Sequence, residues 1–210
     1  MNKSDNCLYF ITDSTGYTEE EFLFRVKEAI KGGPAFVQLR EKEKTTREYI
    51  YLANKVHKIT KEHNIPLIID DRLDVAIVTN AEGVHLGQSD MEVVTARKIL
   101  GKNKIIGATA KTVPQAKRAF SEGANYLGVG AIYPTTTKVK TVLTSTQTLK
   151  DICSSVPIPV YAIGGLNKDN INVLKGINIA GICAVSAIMK AQSPYLAAKE
   201  LKEAVKELFE

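Results

Sequence analysis

Short apolar runs and longer amphipathic stretches alternate along this chain from one end to the other. Leu8-Tyr-Phe-Ile-Thr12 predicts a strand, and seven further runs read the same way: Ala35 to Arg40, Pro66 to Asp70, Gly83 to Leu86, Ile105 to Thr109, Tyr126 to Ile132, Val160 to Ile163 and Gly181 to Val185. Runs that are apolar throughout, such as Pro-Leu-Ile-Ile and Val-Tyr-Ala-Ile, suit a parallel sheet covered by helices on its outer face. Between the runs the apolar residues return at helical spacing. Phe22, Val26 and Ile30 form one such stripe, opened by Thr18-Glu-Glu-Glu21 with the spacing of a capping box and stopped by Gly32-Gly33. Helices are predicted over Thr46 to His63, Leu73 to Thr79, Met91 to Leu100, Val113 to Glu122, Ser145 to Val156 and Lys168 to Lys175. Thr112 and Gln115 mark the start of one of them. The last begins after Ser193-Pro194, with proline at its first position.

Eight strands alternating with eight helices in 210 residues predict a single-domain (β/α)8 TIM barrel over residues 1–210, with no linker or low-complexity tract. An open, doubly wound sheet is the rival. Gly128-x-Gly130 leads into Pro134 and not into a helix, so the dinucleotide fingerprint fails and the barrel is favoured.

In such a barrel the site lies at the C-terminal ends of the strands, so polar residues there are the candidates. Gln38, Arg40 and Lys42 alternate, which puts an amide, a guanidinium and an ammonium on one face as an anion and polar-ring clamp. Asp70-Asp71 ends the third strand and Asp90 follows the fourth. Neighbouring strands let Asp71 and Asp90 approach one another, and a carboxylate pair beside a diphosphate suits Mg²⁺. Alternatively Asp90 caps the helix starting at Met91, and Asp71 pairs with Arg72. Gly164-Gly165 and Val185-Ser186 follow strands seven and eight, where exposed amides commonly form a phosphate cup. The stretch Tyr126 to Lys140 combines both ideas. Gly128 and Gly130 leave one strand face bare, Pro134 ends the ladder, and Thr135, Thr136, Thr137, Lys138 and Lys140 bring hydroxyls and positive charge. That loop suits a phosphorylated ligand, or is simply solvated.

His57 and His63 read as solvated on a charged helix, and His85 as a satisfied core histidine. No Ser-His-Asp set or histidine cluster for a metal is visible, so the reaction should need little acid–base help.

Composition changes this picture little. Apolar content of 44%, charged content of 24% and a net charge of +5 suit a soluble enzyme for small anionic substrates. The lysines are scattered, which argues against nucleic acid. No run is long enough to cross a bilayer, and the polar N-terminus lacks a signal peptide's apolar region. Cys7, Cys153 and Cys183 lie in apolar segments without metal spacing, as expected of buried, reduced thiols in a cytoplasmic protein. Oligomeric state is left open, a homo-oligomer being compatible with everything above.

Gln38-Leu-Arg-Glu-Lys42, Ile69-Asp-Asp-Arg-Leu-Asp-Val-Ala76, Gly83-Val-His-Leu-Gly-Gln-Ser-Asp90, Gly130-Ala-Ile-Tyr-Pro-Thr-Thr-Thr-Lys138 and Ile163-Gly-Gly-Leu166, in this order, resemble the thiamine phosphate synthase family. The resemblance implies a (β/α)8 barrel coupling 4-amino-5-hydroxymethyl-2-methylpyrimidine diphosphate to 4-methyl-5-(2-phosphoethyl)thiazole, with Mg²⁺ as cofactor and pyrophosphate released. Carried over by motif, Gln38, Arg40 and Lys42 would hold the pyrimidine diphosphate, Asp71 and Asp90 the Mg²⁺, and Lys138 the leaving pyrophosphate. Thr135 and Thr137 would contact the thiazole phosphate, with Gly165, Val185 and Ser186 completing its cup. The chain departs from the family pattern at Asp70, where asparagine is frequent, at Thr109, a common serine, and at Lys111, a frequent histidine. Asp70 and Thr109 are carried as substrate contacts nonetheless. Three alternatives stay open: a thiazole tautomerase on the same barrel, a thiazole-phosphate-binding barrel without turnover, and, remotely, a Schiff-base aldolase using Lys42 or Lys111.

Overall fold

Every predicted apolar run forms a strand: β1 (Leu8–Ile11), β2 (Phe36–Leu39), β3 (Leu67–Asp70), β4 (Gly83–Leu86), β5 (Ile105–Ala110), β6 (Tyr126–Gly130), β7 (Val160–Ile163) and β8 (Gly181–Ala184). Each pairs in parallel with its chain neighbours, and β8 returns to β1 with Leu8 beside Ile182, closing the barrel. The open-sheet rival is thereby excluded. The computed structural model describes residues 7–135 and 142–209. Thr136, Thr137, Lys138 and Lys140 lie outside the described residues.

The helices are α1 (Glu19–Lys31), α2 (Thr46–Glu62), α3 (Leu73–Val78), α4 (Val93–Leu100), α5 (Val113–Ser121), α6 (Thr146–Ser155), α7 (Ser186–Met189) and α8 (Pro194–Glu207). Their starts follow local chemistry. Thr18 Oγ1 accepts the Glu21 amide at 3.2 Å, and Thr45 and Glu48 complete a reciprocal capping box that the sequence reading overlooked. Such N-caps contribute about 1 kcal/mol each. Two helix expectations need correction. The stretch Lys168 to Lys175 holds only a 3-10 turn, Ile171–Leu174. Asn170 is the cause: its Oδ1 accepts the Asn167 amide at 2.9 Å and its Nδ2 donates to Gly165 O at 2.9 Å. Asn167 Oδ1 takes the Asp169 amide as well. These side chains capture the backbone groups that a helix would need. α4 starts at Val93 with Glu92 before it, two residues later than expected, so Asp90 does not cap it.

Two apolar layers result from the strand alternation. Residues such as Leu8, Phe10, Val37, Leu39, Ile69 and Val84 face outward and pack against the helices. Tyr9, Ile11, Ile68, Tyr126, Tyr161 and Cys183 fill the barrel interior. The Tyr9 ring sits 5.5 Å from Tyr126 and 5.7 Å from Tyr161, both edge-on, and forms the floor on which the site rests. All three cysteines are buried thiols outside any disulfide. His57 corrects the sequence reading: it is 4% exposed, with Nδ1 3.0 Å from Thr79 O and Nε2 3.1 Å from Glu82 Oε1. α2 turns that position inward against α3. No described helix is long and apolar enough to cross a membrane.

Candidate active site

Above the tyrosine floor, at the C-terminal mouth, lies a cavity of about 560 Å³. Gln38, Arg40, Lys42, Asp70, Asp71, Asp90, Thr109, Thr135, Gly165, Val185 and Ser186 all line it. Every described residue of the sequence-derived candidate set therefore converges on one space. Thr137 and Lys138 fall outside the described residues.

The clamp on β2 and the carboxylates on β3 form one charged network. Lys42 Nζ contacts Asp71 Oδ2 and lies 3.1 Å from Asp70 Oδ2, while Arg40 Nε is 3.8 Å from the same Asp70 oxygen. Burial and the neighbouring Asp71 charge push the Asp70 carboxyl up to about 6, against the pull of Lys42 and Arg40. For Asp71 the burial cost is outweighed by Lys42 and by a bond from Asp90, so its carboxyl falls below the ordinary range. Asp90 moves the other way, raised by burial and by Asp71. On Lys42 the burial penalty is overcome by Asp70 and Asp71, which hold its ammonium above the ordinary lysine value.

Backbone geometry delivers the two metal candidates to each other. Asp71 has φ of 60°, outside the usual range for a non-glycine residue, and its amide donates to His85 O at 2.8 Å. Strain of this sort, held by a neighbouring strand, concentrates at functional sites. Asp90 closes the turn after β4 by accepting the Gly87 amide at 2.6 Å, and its carboxyl meets that of Asp71. Asp71 does not pair with Arg72, which binds Asp74. Among the described residues no group of three or more His, Cys, Asp or Glu side chains could enclose a metal. A carboxylate pair in contact, one member protonated more readily than usual, is nevertheless what a divalent cation relieves. Mg²⁺ takes one or two carboxylates and draws its other ligands from phosphate oxygens and water. The donor set fits.

The phosphate-cup candidates sit across the mouth. Gly164 and Gly165 have φ of 106° and 63°. A Cβ on Gly165 would stand 2.7 Å from Pro134 O and 2.8 Å from Tyr133 Cβ, so glycine is required by the loop that follows β6 as much as by any ligand. Gly130 likewise serves strand packing, since its Cβ would lie 2.0 Å from Ile163 O. Gly128 leaves room beside the His85 ring, in keeping with the bare face expected of this strand.

Several lining residues were not proposed for the site from sequence: Tyr9, Ile11, Gln88, Ile163 and Cys183. Period two along β1 does place Tyr9 and Ile11 on one face, which is the signal that could have found them. His85 is satisfied, as expected, yet belongs to the pocket wall.

The closed parallel barrel and its charged mouth define a (β/α)8-barrel enzyme. More narrowly, the chain belongs to the thiamine monophosphate synthase family, whose model matches residues 8–188. It is 46% identical over 201 residues to thiamine-phosphate synthase of Methanobrevibacter smithii, covering 96% of each chain. Against thiamine-phosphate synthase of Campylobacter jejuni it is 48% identical over 206 residues, 98% of this chain and 97% of the relative. The solved thiamine phosphate pyrophosphorylase of Pyrococcus furiosus superposes with a TM-score of 0.89 at 36% identity, over 99% of both chains.

Proposed function

We propose that this chain is a thiamine phosphate synthase, joining the pyrimidine diphosphate to the thiazole phosphate in the cytoplasm. The observation that carries this reading is the Asp71–Asp90 carboxylate pair, with Lys42 against Asp71 and Arg40 near Asp70, in one cavity. A tautomerase or a non-catalytic binding barrel would have no use for that pairing. The aldolase alternative loses its nucleophile at Lys42, because Asp70 and Asp71 hold that amine protonated.

The thiazole nitrogen uses its lone pair to form the bond to the pyrimidine methylene carbon. The carbon–oxygen bond to pyrophosphate breaks, and its electron pair leaves with pyrophosphate. No proton is lost, so no general base is required. Arg40 and Lys42 orient the diphosphate and meet the charge that builds on it, in a position set before reaction. Gln38 and Thr109 bind the pyrimidine ring, with Asp70 at its side. Thr135 and Thr137, with the Gly165 and Val185–Ser186 backbone, receive the thiazole phosphate, and Lys138 receives the departing pyrophosphate. Asp71 and Asp90 would hold Mg²⁺, which when bound supplies positive charge beside the leaving group.

Incubating purified protein with both substrates and Mg²⁺ should yield thiamine phosphate and pyrophosphate in equal amounts. Asp71→Asn and Asp90→Asn should each lower turnover by ~10²–10³ without unfolding the barrel. The double variant should fall far short of the product of the two losses, because both residues act through one ion. Full turnover in excess chelator would refute the metal assignment, and absence of product would refute the function.

A further inference from the structure

Beneath the cavity one continuous line of hydrogen bonds joins its opposite walls. Gln38 Nε2 on β2 donates to the Tyr9 hydroxyl at 2.9 Å, and the Tyr9 and Tyr126 hydroxyls are 2.6 Å apart. Tyr126 then meets His85 Nδ1 at 3.1 Å, and His85 Nε2 meets Thr109 Oγ1 at 3.0 Å. Tyr9 and Tyr126 are 1% and 3% exposed, so water does not interrupt the line. Burial keeps both phenols protonated far beyond neutral pH, so each carries one hydrogen to give.

With Gln38 Nε2 facing Tyr9 and the His85 ring neutral, one direction uses every hydrogen along the line. Gln38 gives an N–H to Tyr9, so Tyr9 has its own hydrogen left for Tyr126. In that direction Tyr126 gives its hydrogen to His85 Nδ1, which is then bare. The imidazole carries its hydrogen on Nε2 and gives it to Thr109, leaving the Thr109 hydroxyl with its own hydrogen for the cavity. At the other end the Gln38 amide nitrogen is engaged below and its carbonyl oxygen is left to accept. Rotating the Gln38 amide would force every later bond to reverse, because each buried hydroxyl has one hydrogen. The chain therefore has two states and no cheap mixture, a mixed state leaving buried donors or acceptors unpaired.

We infer that Tyr9, Tyr126 and His85 are positioning residues which lock the cavity as hydrogen-bond acceptor at Gln38 and donor at Thr109, and so select an aminopyrimidine over its oxo counterpart. The inference rests on the proposed function for its ligand. An aminopyrimidine offers an N–H donor from its amine and a lone pair from a ring nitrogen, which matches the locked polarity. The 4-oxo analogue puts a carbonyl acceptor where the amine donor was, and would face the Gln38 oxygen. A site with buried groups of fixed polarity rejects such an analogue strongly.

Two measurements test this. In the ligand-free protein, two-bond nitrogen–proton correlation of the histidine rings should show His85 protonated on Nε2 and bare on Nδ1. Protonation on Nδ1 would overturn the assigned direction, whatever the substrate. The second compares kcat/KM for the 4-amino and 4-oxo pyrimidine diphosphates in wild type, Tyr126→Phe and Tyr9→Phe. Each phenylalanine keeps the ring and cuts the chain, so Gln38 is no longer held in one orientation. The amino-to-oxo ratio should fall at least about tenfold in both variants, beyond any change common to the two substrates. An unchanged ratio in variants that fold would overturn the inference, since a merely structural role would scale both substrates alike. If wild type turned over neither compound, the proposed function would fail and the tautomer measurement would still decide the direction.

Discussion

Gly165→Ala separates two costs that usually arrive together. The position has φ of 63°, where an L side chain is disfavoured by about 1–2 kcal/mol. Its Cβ would also stand 2.7 Å from Pro134 O and 2.8 Å from Tyr133 Cβ, contacts that force the loop after β6 to move. Overpacking of this kind costs ~1–3 kcal/mol, giving a total of about 2–5 kcal/mol. Gly176 provides the control. Its φ is 76°, yet nothing lies within 4 Å of a Cβ built there, so Gly176→Ala should cost only the ~1–2 kcal/mol of backbone strain. Urea titrations followed by circular dichroism measure both variants against wild type, with midpoint shifts read at constant m. Thiazole phosphate affinity adds a second readout: Gly165→Ala shifts the loop carrying Thr135 and should weaken binding, while Gly176→Ala should not. Equal destabilisation by the two variants would refute the close approach of Gly165 to the loop. Equal loss of affinity would show that the effect is general and not a property of the cup.

The Glu41 side chain is buried between Ser14, whose hydroxyl donates to Oε2 at 2.7 Å, and Lys44 at 3.7 Å, and its Oε1 has no hydrogen-bond partner among the described residues. Burial raises its carboxyl, so the folded protein binds that proton more tightly than the unfolded chain and loses stability as pH rises through the glutamate range. Glu41→Gln should therefore gain ~1 kcal/mol over wild type near pH 8 and nothing near pH 4, as urea midpoints would show. The Tyr49 hydroxyl donates to Leu39 O at 2.6 Å and reaches Asp70 O at 3.2 Å, tying the ends of β2 and β3 together below the charged network. Tyr49→Phe should cost about 1–3 kcal/mol in the same titration, and an unchanged midpoint would show that the clip is idle. Because Lys42 pairs with Asp71, Mg²⁺ and the diphosphate should each strengthen the other's binding in calorimetry. Lys42→Met should erase that coupling, and coupling that survives would place the exchange elsewhere.

The fold was legible because its signals are local. Eight apolar runs with helical stripes between them require nothing beyond nearest neighbours in the chain, and every run formed a strand at nearly its predicted limits. Where the reading failed, tertiary contacts had overruled local pattern. Lys168 to Lys175 has helical spacing, but the Asn170 side chain bonds the Gly165 carbonyl and the Asn167 amide, and Asn167 Oδ1 takes the Asp169 amide. His57 lies in a charged stretch, yet Glu82 on a later loop turns it into a buried anchor.

The site divides along the same line. The convergence of strand-end residues was legible, since barrel topology alone brings Arg40, Asp71 and Asp90 to one mouth. What they do to one another was not. Spacing read Lys42 as a clamp for an incoming anion, whereas the folded protein also makes it the counter-ion of Asp70 and Asp71. Lys42 therefore spends two of its three N–H donors on those carboxylates, and an anion that drew it away would leave Asp71 beside Asp90 without that counter-charge. On the proposed function, that arrangement is why a divalent ion and the diphosphate should bind as partners, each offsetting the charge that the other exposes. The chain from Gln38 to Thr109 was hidden for a stronger reason: its central link joins Tyr9 to Tyr126, 117 residues apart, through a distance set only once the barrel has closed.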